Sequence, residues 1–257
     1  MGNKQASPSA FPEVTSEKAR ANRVKRPPKT YDDGAVYEGE WVGEKREGFG
    51  VQTWPDGAKY EGQWIQDRVH GKGRFTQAAG DYYEGSWRND QADGFGVYSH
   101  TDGSSYIGEW KEDKQQGEGT EIWEDGTKYQ GQFSEGLKDG LGHFQWQDGA
   151  RYDGEFSAND IAGEGMYVWA DGRAFKGQWV ANRMHGMGYF TWRDGRLFDG
   201  EYVEDVKHGH GTFTWPDGRR WEGQWRDGVQ SGTGTYTNAT GESRGGEWEN
   251  GKRKKWN

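Results

Sequence analysis

Apolar and polar residues alternate along the chain in a pattern that returns every 23 residues. In the first half of each repeat an aromatic residue is followed two places later by glycine and two places after that by a second aromatic residue, as in Tyr37, Gly39 and Trp41. Residues two apart share one face of a β-strand. The pattern therefore predicts a strand with rings and glycine on one face, and with Glu38 and Glu40 on a solvated opposite face.

The second half of each repeat reads Gly-x-Gly, then alternating residues, then Asp-Gly, as between Gly48 and Gly57. Alternation again predicts a strand, and Asp-Gly predicts a hairpin turn because glycine accepts a positive φ. Four positions of the repeat hold 38 of the 44 glycines, which indicates that a bare glycine leaves room for a ring on the neighbouring strand. The chain is thus predicted to be all-β, an elongated single-layer antiparallel sheet of about nine to ten 23-residue hairpin repeats.

The same pattern sets the expected boundaries of the sheet. Residues 31–251 are predicted to form a rod of repeats. The segment from Tyr31 to Gly34 matches the last third of a repeat, which predicts a half-repeat before Tyr37. Residues 252–257 are predicted to be a basic end whose charges discourage edge-to-edge pairing.

Composition and charge restrict the classes of protein that fit. Cysteine is absent, which excludes disulfides and cysteine-based zinc sites. No run approaches the 18 apolar residues of a membrane span, and no apolar segment follows the start as in a secretory signal. The net charge is +5 over residues 1–30, −18 over residues 31–250 and +4 over residues 251–257. An acidic body with basic ends argues against binding to nucleic acid.

The pattern Tyr-x-Gly-x-Trp, Gly-x-Gly and Asp-Gly at 23-residue spacing resembles the MORN (membrane occupation and recognition nexus) repeat over residues 31–251. The resemblance implies an elongated sheet of hairpins that serves as a scaffold or adaptor in the cytoskeleton, cilia, division structures or membrane junctions. Some members self-associate through the end of the rod, so a homodimer is possible. Other relatives carry a lipid kinase or lysine methyltransferase module, but the repeats occupy nearly all of this chain, and we expect no such activity here.

The first 30 residues are predicted to be a tail that is disordered or helical over residues 13–25, with Pro27 and Pro28 separating it from the sheet. Its start resembles an N-myristoylation signal with Gly2 as the acceptor. One acyl chain gives reversible membrane binding, whereas a chain with a polybasic patch is a two-signal anchor. The alternative is an ordinary start and a solvated linker that is steered towards the acidic repeats. The basic residues predicted to contact an anionic membrane are Lys4, Lys18, Arg20, Arg23, Lys25, Arg26 and Lys29.

Aromatic residues of the second strand form the remaining candidate surface. These rings either pack with the glycines into a self-contained core or form a groove for a helix or extended peptide, since exposed aromatic rows mark interaction sites. We expect the first-strand rings to be structural and part of the second-strand set to face a protein partner. The predicted groove residues are Trp54, Phe75, Tyr98, Trp123, Phe144, Trp146, Tyr167, Trp169, Phe190, Trp192, Phe213 and Trp215.

The sequence offers no pattern that carries catalysis. His70, His185 and His208 share one repeat position, which indicates a repeated turn residue rather than a metal site. We therefore expect no enzymatic activity, no metal and no cofactor. The favoured hypothesis is a cytoplasmic scaffold, peripheral on the inner face of a membrane, that holds a protein partner along the repeats. The alternatives are a structural component of a cilium or cytoskeletal assembly, similar to the radial spoke head, and a regulatory subunit of an enzyme supplied in trans.

Overall fold

The computed structural model describes residues 22–257, which contain no helix and form one open antiparallel sheet of 22 strands. The predicted all-β sheet of hairpin repeats is confirmed. By their contacts the strands fall into two compact units. We call residues 22–124 with 133–136 the first unit, and residues 125–132 with 137–257 the second unit.

The strands recur with the sequence period. From β3 onwards odd-numbered strands have seven residues and even-numbered strands have nine, apart from the shorter last strand. The strands are β1 (Val24–Lys25), β2 (Lys29–Thr30), β3 (Val36–Val42), β4 (Lys45–Thr53), β5 (Lys59–Ile65), β6 (Arg68–Thr76), β7 (Tyr82–Arg88), β8 (Gln91–Ser99), β9 (Ser105–Lys111), β10 (Lys114–Ile122), β11 (Lys128–Ser134), β12 (Leu137–Gln145), β13 (Arg151–Ser157), β14 (Asp160–Val168), β15 (Ala174–Val180), β16 (Arg183–Thr191), β17 (Leu197–Val203), β18 (Val206–Thr214), β19 (Arg220–Arg226), β20 (Val229–Thr237), β21 (Ser243–Glu249) and β22 (Lys252–Trp256).

Glycines of neighbouring strands lie opposite one another, and rings cover them. In the first unit Gly50 pairs with Gly39 on one side and with Gly62 on the other. The ring of Tyr37 is fully buried over this row, and its hydroxyl donates to the carbonyl of Glu40 at 3.1 Å. A Cβ on Gly50 would lie 2.5 Å from Cε2 of Tyr37. The predicted steric role of these glycines is confirmed.

First-strand rings form a continuous row in each unit, which we call the inner ladder, and they are buried apart from the half-buried Trp87 and Trp110 of the first unit. Consecutive rings meet edge to face, as in Tyr152 and Phe156 at 5.2 Å and Phe198 and Trp225 at 5.0 Å. Edge-to-face contacts stabilise aromatic pairs beyond the area that they bury. Where the second ring is tryptophan, its Nε1 can donate to a glycine carbonyl of the preceding repeat; Trp225 donates to Gly211 at 3.0 Å. The core of this protein is therefore aromatic and lies on one face of the sheet.

The inner ladder contains one hydroxyl that has no partner among the described residues. Tyr202 is 3% exposed and its hydroxyl makes no hydrogen bond, whereas the hydroxyl of Tyr152 donates to the carbonyl of Glu155 at 3.0 Å. An unsatisfied buried hydroxyl costs about 1–3 kcal/mol. We expect Tyr202→Phe to raise the free energy of unfolding by about 1 kcal/mol and Tyr152→Phe to lower it by a similar amount. Urea denaturation followed by tryptophan fluorescence checks both, and a loss in both variants would contradict this account.

The Asp-Gly segments form turns, as predicted, but the turns are longer than two-residue hairpins. Between β4 and β5 the amide of Trp54 donates to the carbonyl of Ala58 at 2.9 Å, and Gly57 has a φ of 93°. The carboxylate of Asp56 accepts from the amide of Ala58 at 2.9 Å. The predicted half-repeat has the same arrangement, with the amide of Tyr31 donating to Ala35, and is confirmed.

The other set of turns has no glycine signal in most repeats and is absent from the sequence prediction. From the β5–β6 connection onwards these turns have two residues, both with positive φ, such as Gln66 at 51° and Asp67 at 71°. Asp67 accepts from the amide of Arg46 in the preceding repeat at 2.8 Å and returns its own amide to the Arg46 carbonyl at 3.1 Å. We call this paired contact the staple. Further staples join Asp90 to Val69, Asp113 to Ala92, Asn159 to Lys138, Asn182 to Ile161 and Asp205 to Met184.

The staple makes a testable contribution to stability. Asn159 accepts from the amide of Lys138 at 2.9 Å and has a φ of 75°. Asn159→Ala removes the acceptor and places alanine in a backbone region that asparagine tolerates better. We expect a loss of about 1–2 kcal/mol in the free energy of unfolding, while Asn159→Asp keeps the acceptor and most of the stability. Urea denaturation measures both, and equal losses would contradict the role assigned to the side-chain oxygen.

A bulge follows each staple. Gly48 has a φ of 76°, and the carboxylate of Glu40 accepts from the amide of Phe49 at 2.9 Å. Glu40 is half-buried, whereas Glu38 is exposed. The prediction that both carboxylates lie on a solvated face is therefore wrong for Glu40, because the bulge leaves a backbone amide that this side chain satisfies.

The sheet extends beyond both ends of the predicted rod. β1 and β2 pair with β3 on either side of Pro27 and Pro28, and β22 pairs with β21. Pro27 and Pro28 thus interrupt an edge strand instead of separating a tail from the sheet. Proline has no amide to donate, so it is suited to an edge, where it discourages further strand pairing. Most of the helix expected over residues 13–25 lies outside the described residues, but Val24–Lys25 is a strand.

Candidate functional site

The predicted membrane-contacting residues divide into two groups. Gly2, Lys4, Lys18 and Arg20 lie outside the described residues. The other four, Arg23, Lys25, Arg26 and Lys29, lie along the edge of the first repeat. Their surroundings determine which of them could reach a lipid headgroup.

Arg23 is buried against two carboxylates. Its side chain is 7% exposed, with Nη1 at 3.8 Å from Glu40 and Nη2 at 4.0 Å from Glu47. Glu47 is itself buried and accepts from the amide of Gln66 at 3.0 Å. In this conformation the guanidinium of Arg23 is not available to a membrane surface.

Arg26 and Lys29 are also engaged by the first repeat, although less deeply. Arg26 donates to Glu44 at 3.1 Å and to the carbonyl of Gly43 at 2.7 Å. The ammonium of Lys29 lies 5.4 Å from the ring centre of Trp41. Lys25 and Lys29 are both exposed strand residues, and Lys29 alone of the two has a ring contact. This arrangement agrees with the alternative sequence interpretation, in which the basic segment is steered towards the acidic repeats.

The predicted groove residues lie on the same face as the inner ladder. In the first unit Phe75 is the Cα partner of Tyr60, and Trp54 packs against Phe75 at 5.7 Å. We call Trp54 and the residues at the equivalent position of later repeats the tryptophan column. This column is interrupted here, because Gln77 and His100 occupy the next two equivalent positions. Tyr98 packs on His100, and Trp123 is half-buried. The first unit therefore has no unbroken second row of rings.

In the second unit the predicted groove residues form an unbroken row, which we call the outer ladder, and the structure extends it by Tyr236 and Trp256, which the prediction did not include. Its rings are half-buried apart from Phe190, which is buried, and most neighbours are tilted by 35–50° rather than perpendicular. Centroid distances run from 4.4 Å to 6.4 Å along the row. Its members in order are Phe144, Trp146, Tyr167, Trp169, Phe190, Trp192, Phe213, Trp215, Tyr236 and Trp256.

Three consecutive tryptophans of the tryptophan column are each followed, four residues later, by an arginine. Each belongs to a Trp-x-Asp-Gly-Arg segment, and we call residues 169–173, 192–196 and 215–219 the Trp–Arg cassettes. The guanidinium carbons of Arg173, Arg196 and Arg219 lie 5.5, 5.3 and 5.6 Å from the centre of the tryptophan ring of the same cassette. In each, Nε of the arginine contacts the cassette aspartate at 2.7–2.8 Å.

A lysine lies between the inner and outer ladders beside these cassettes. The ammonium of Lys207 is 5.0–5.2 Å from the ring centres of Trp192, Phe198, Phe213 and Trp225. Burial lowers the pKa of Lys207, and the charge of Arg196 lowers it further. Within the described part of the chain no carboxylate pairs with it, and the four rings supply attractive contacts for its charge.

The rest of the described chain offers little that resembles a reaction centre. Two exposed histidine–aspartate pairs occur, His100 with Asp81 at 3.1 Å and His143 with Asp153. Residues 22–257 contain no group of three or more histidine, aspartate or glutamate side chains that could hold a metal ion. Over the same range no helix is long and apolar enough to cross a membrane. What the geometry does offer is an accessible row of rings with ordered cations, the outer ladder with its cassettes.

Sequence reasoning found the rings of this surface but missed its cations. The signal was present, because Trp-x-Asp-Gly-Arg recurs in three consecutive repeats and in no other. Lys207 gave a weaker signal, since its repeat position holds a cation only at Arg46, Lys138, Lys207 and Arg253, and its nearest equivalents 161, 184 and 230 hold isoleucine, methionine and glutamine.

Comparison with known proteins identifies the repeat. The family model described as MORN repeat matches residues 37–59, 60–82, 83–105, 106–128, 129–151, 152–172, 175–195, 198–219 and 221–243. No curated protein matches the chain.

Solved structures with some likeness include the TCP10 domain of Danio rerio CPAP, at 12% identity over 90% of this chain and 99% of that chain with a TM-score of 0.29. The SAS-4 TCP domain of Drosophila melanogaster, in complex with a proline-rich motif of Ana2, is 12% identical over 85% of this chain and 99% of that chain, with a TM-score of 0.30. The Staphylococcus aureus virginiamycin B lyase with quinupristin is 12% identical over 96% of this chain and 88% of that chain, with a TM-score of 0.17. TM-scores this low carry no argument about fold or function.

Proposed function

The chain belongs to the MORN repeat family, and from that premise we propose that it is a non-enzymatic scaffold that holds a protein partner on its outer ladder and is tethered by its N-terminus to the cytoplasmic face of a membrane. The family is one of repeat scaffolds for protein and membrane interactions. The finer statements, on the partner surface and on the tether, rest on the arguments that follow.

One observation supports the partner surface above all others. The outer ladder is an unbroken row of mostly half-buried rings, while the inner ladder on the same face is already buried and complete. Rows of accessible aromatic side chains are typical of interaction sites, and tryptophan and tyrosine are frequent interface anchors. Because no other described segment covers the outer ladder, a partner protein is the occupant that this surface fits.

The tether is supported by the sequence of the tail and by charge. Gly2 is a candidate acyl acceptor, and the repeats carry a net charge of −18, so anionic headgroups repel them. Since the first repeat engages Arg23, Arg26 and Lys29, the remaining cations, with Lys25 nearest the sheet, supply the second membrane signal. An acyl chain is then the main source of membrane affinity.

The partner surface is tested by site-specific photo-crosslinking in the native cell. A photoreactive residue at position 169 or 192 lies on the outer ladder, and one at position 176 or 199 lies on the opposite face. We expect a discrete adduct from the first pair of positions and none from the second pair. Adducts from both faces alike, or from neither, would overturn the assignment of the partner to the outer ladder.

The tether is tested by intact mass and by vesicle sedimentation of the full chain. We expect loss of Met1 and a myristoyl mass at Gly2, with binding to vesicles that contain phosphatidylserine, and loss of binding in Gly2→Ala. An unmodified Gly2 with no vesicle binding would overturn the tether and favour the cytoskeletal or ciliary alternative. Catalytic activity that co-purifies with the chain would favour a regulatory subunit instead.

A further inference from the structure

We propose that the three Trp–Arg cassettes hold an extended acidic segment of the partner, in polyproline II conformation, with a carboxylate at every third residue. The inference rests on the proposed function, because it specifies the chemistry of the partner on the outer ladder.

The first argument is that the cassette arginines are already ordered. Each guanidinium lies over a tryptophan ring and is held at Nε by an aspartate, as with Arg173 and Asp171 at 2.7 Å. Ordering a free arginine side chain costs rotamer entropy, which this arrangement removes from the cost of binding. In Arg173 and Arg196 the contact at Nε leaves the two Nη groups of the fork, which match the two oxygens of a carboxylate. The guanidinium of Arg219 is in addition hydrogen-bonded to the Tyr236 side chain, so it is ordered from two sides.

The second argument is charge. The chain between residues 31 and 250 is strongly acidic, but the cassettes and the residues beside them are not. The basic residues here are Arg173, Arg193, Arg196, Lys207 and Arg219, whereas the acidic residues of the cassettes are Asp171, Asp194 and Asp217. Because the aspartates neutralise only part of this charge and Lys207 has no carboxylate partner in the described chain, the surface favours an anionic ligand.

The third argument is spacing. Successive cassettes are separated by two strands, and strands lie about 4.8 Å apart, so the cassettes repeat every ~9.6 Å within the second unit. Three residues of polyproline II span about 9.3 Å and complete one turn, which places every third side chain on the same side. In a β-strand the side chains alternate, so residues three apart face opposite ways. Polyproline II therefore fits the cassette repeat, and its flat surfaces suit a row of tryptophan rings.

The fourth argument is that, over the described residues, the unbroken ring row and the ordered arginines occur together only in the second unit. The residues of the first unit that are equivalent to the cassette arginines are Ala58, Asp81 and Ser104. In the same repeats the tryptophan column is broken by Gln77 and His100. The second unit alone, over the described residues, combines an unbroken ring row with ordered cations.

The test is calorimetric titration of the full chain with synthetic 15-residue peptides at low ionic strength. The probe is Glu-Pro-Pro repeated five times. The controls are Gln-Pro-Pro repeats, which keep the backbone conformation and remove charge, and a peptide of five Glu-Pro units followed by five prolines, which keeps the charge and changes its spacing. We expect the Glu-Pro-Pro peptide to bind at least about tenfold more tightly than either control, since charge-assisted bonds to arginine are the discriminating contacts.

Variants of the chain locate the site. We expect Arg196→Gln to weaken the Glu-Pro-Pro complex about fivefold to tenfold, and Arg173→Gln or Arg219→Gln to do likewise. The matched control is Arg183→Gln, because Arg183 is an exposed arginine that pairs with Glu204 at 3.0 Å outside the cassettes. It should leave binding unchanged.

Three results would overturn the inference. The first is equal affinity for the Glu-Pro-Pro and Gln-Pro-Pro peptides, and the second is unchanged peptide affinity in the three cassette variants. The third is loss of phosphatidylserine vesicle binding in those variants without any peptide binding, which would make the cassettes a lipid surface. If the peptide fails while adducts still form at positions 169 and 192, the scaffold function stands and the acidic polyproline II partner is wrong. Failure of both measurements rejects the partner surface itself.

Discussion

Gly165→Ala is expected to lower the free energy of unfolding by about 3 kcal/mol, because the glycine row has no room for a methyl group. A Cβ on Gly165 would lie 2.5 Å from Cε2 of Tyr152, and other ring atoms would be closer. Tyr152 is fully buried and its hydroxyl bonds to the backbone, so the ring cannot move aside without breaking the inner ladder. Overpacking of a filled core costs about 1–3 kcal/mol, and more when rigid groups meet. Urea denaturation monitored by tryptophan fluorescence measures the loss.

The matched control is Gly245→Ala, in strand β21 of the same unit. The nearest atom to a Cβ there is Nδ2 of Asn257, at an ordinary contact distance of 3.8 Å. We expect a change of no more than about 0.5 kcal/mol, as for other surface substitutions. Similar losses at Gly165 and Gly245 would show that flexibility of glycine, and not space for the ring, determines these positions.

Arg23→Ala is expected to cost about 3 kcal/mol locally and to release β1 from the edge of β3. The substitution leaves the buried carboxylate of Glu47 without its cation, and breaking a buried ion pair from one side is strongly destabilising. Hydrogen exchange is the suitable measurement, because release of an end strand is a local opening that denaturation curves underestimate. We expect faster exchange of amides in β1 and β3, with little change in β5 and beyond.

Arg26→Ala is the control for this prediction. The Arg26 side chain is 37% exposed and its partner Glu44 is 83% exposed, so the pair contributes about 1 kcal/mol at most. Exchange rates in β3 that rise equally in the two variants would indicate that the whole basic segment, and not the buried guanidinium, holds the edge strand in place.

The sequence predicted the architecture well because the determinants of the repeat are local and periodic. Alternation assigns the faces, Gly39 and its equivalents mark where rings such as Tyr37 lie, and Asp-Gly marks one set of turns. The second set escaped because Ala158 and Asn159 adopt positive φ without any glycine. There the side-chain oxygen of Asn159 accepts from the amide of Lys138 and fixes the turn. This hydrogen bond joins two repeats rather than lying within one.

The candidate site was predicted in outline only. Rings at fixed repeat positions indicated an aromatic face, but only the structure separates the buried inner ladder from the accessible outer ladder. Arg23 illustrates the opposite limitation. Its place in a basic cluster indicated a membrane contact, and nothing in that local composition revealed that Glu47 of the first repeat would bury it.

The staples and the tryptophan bonds also constrain how such a gene can change length. Each staple joins residues 21 apart, as from Arg46 to Asp67, and each tryptophan bond joins residues 14 apart, as from Gly50 to Trp64. A duplication or deletion of 23 codons preserves every one of these offsets wherever its breakpoints fall. The loss of a single codon instead shortens by one every offset that spans it. Within a strand, it also moves the side chains on one side of the deletion to the opposite face of the sheet. The gene can therefore lengthen or shorten only by whole repeats, and such changes leave the neighbouring repeats correctly bonded.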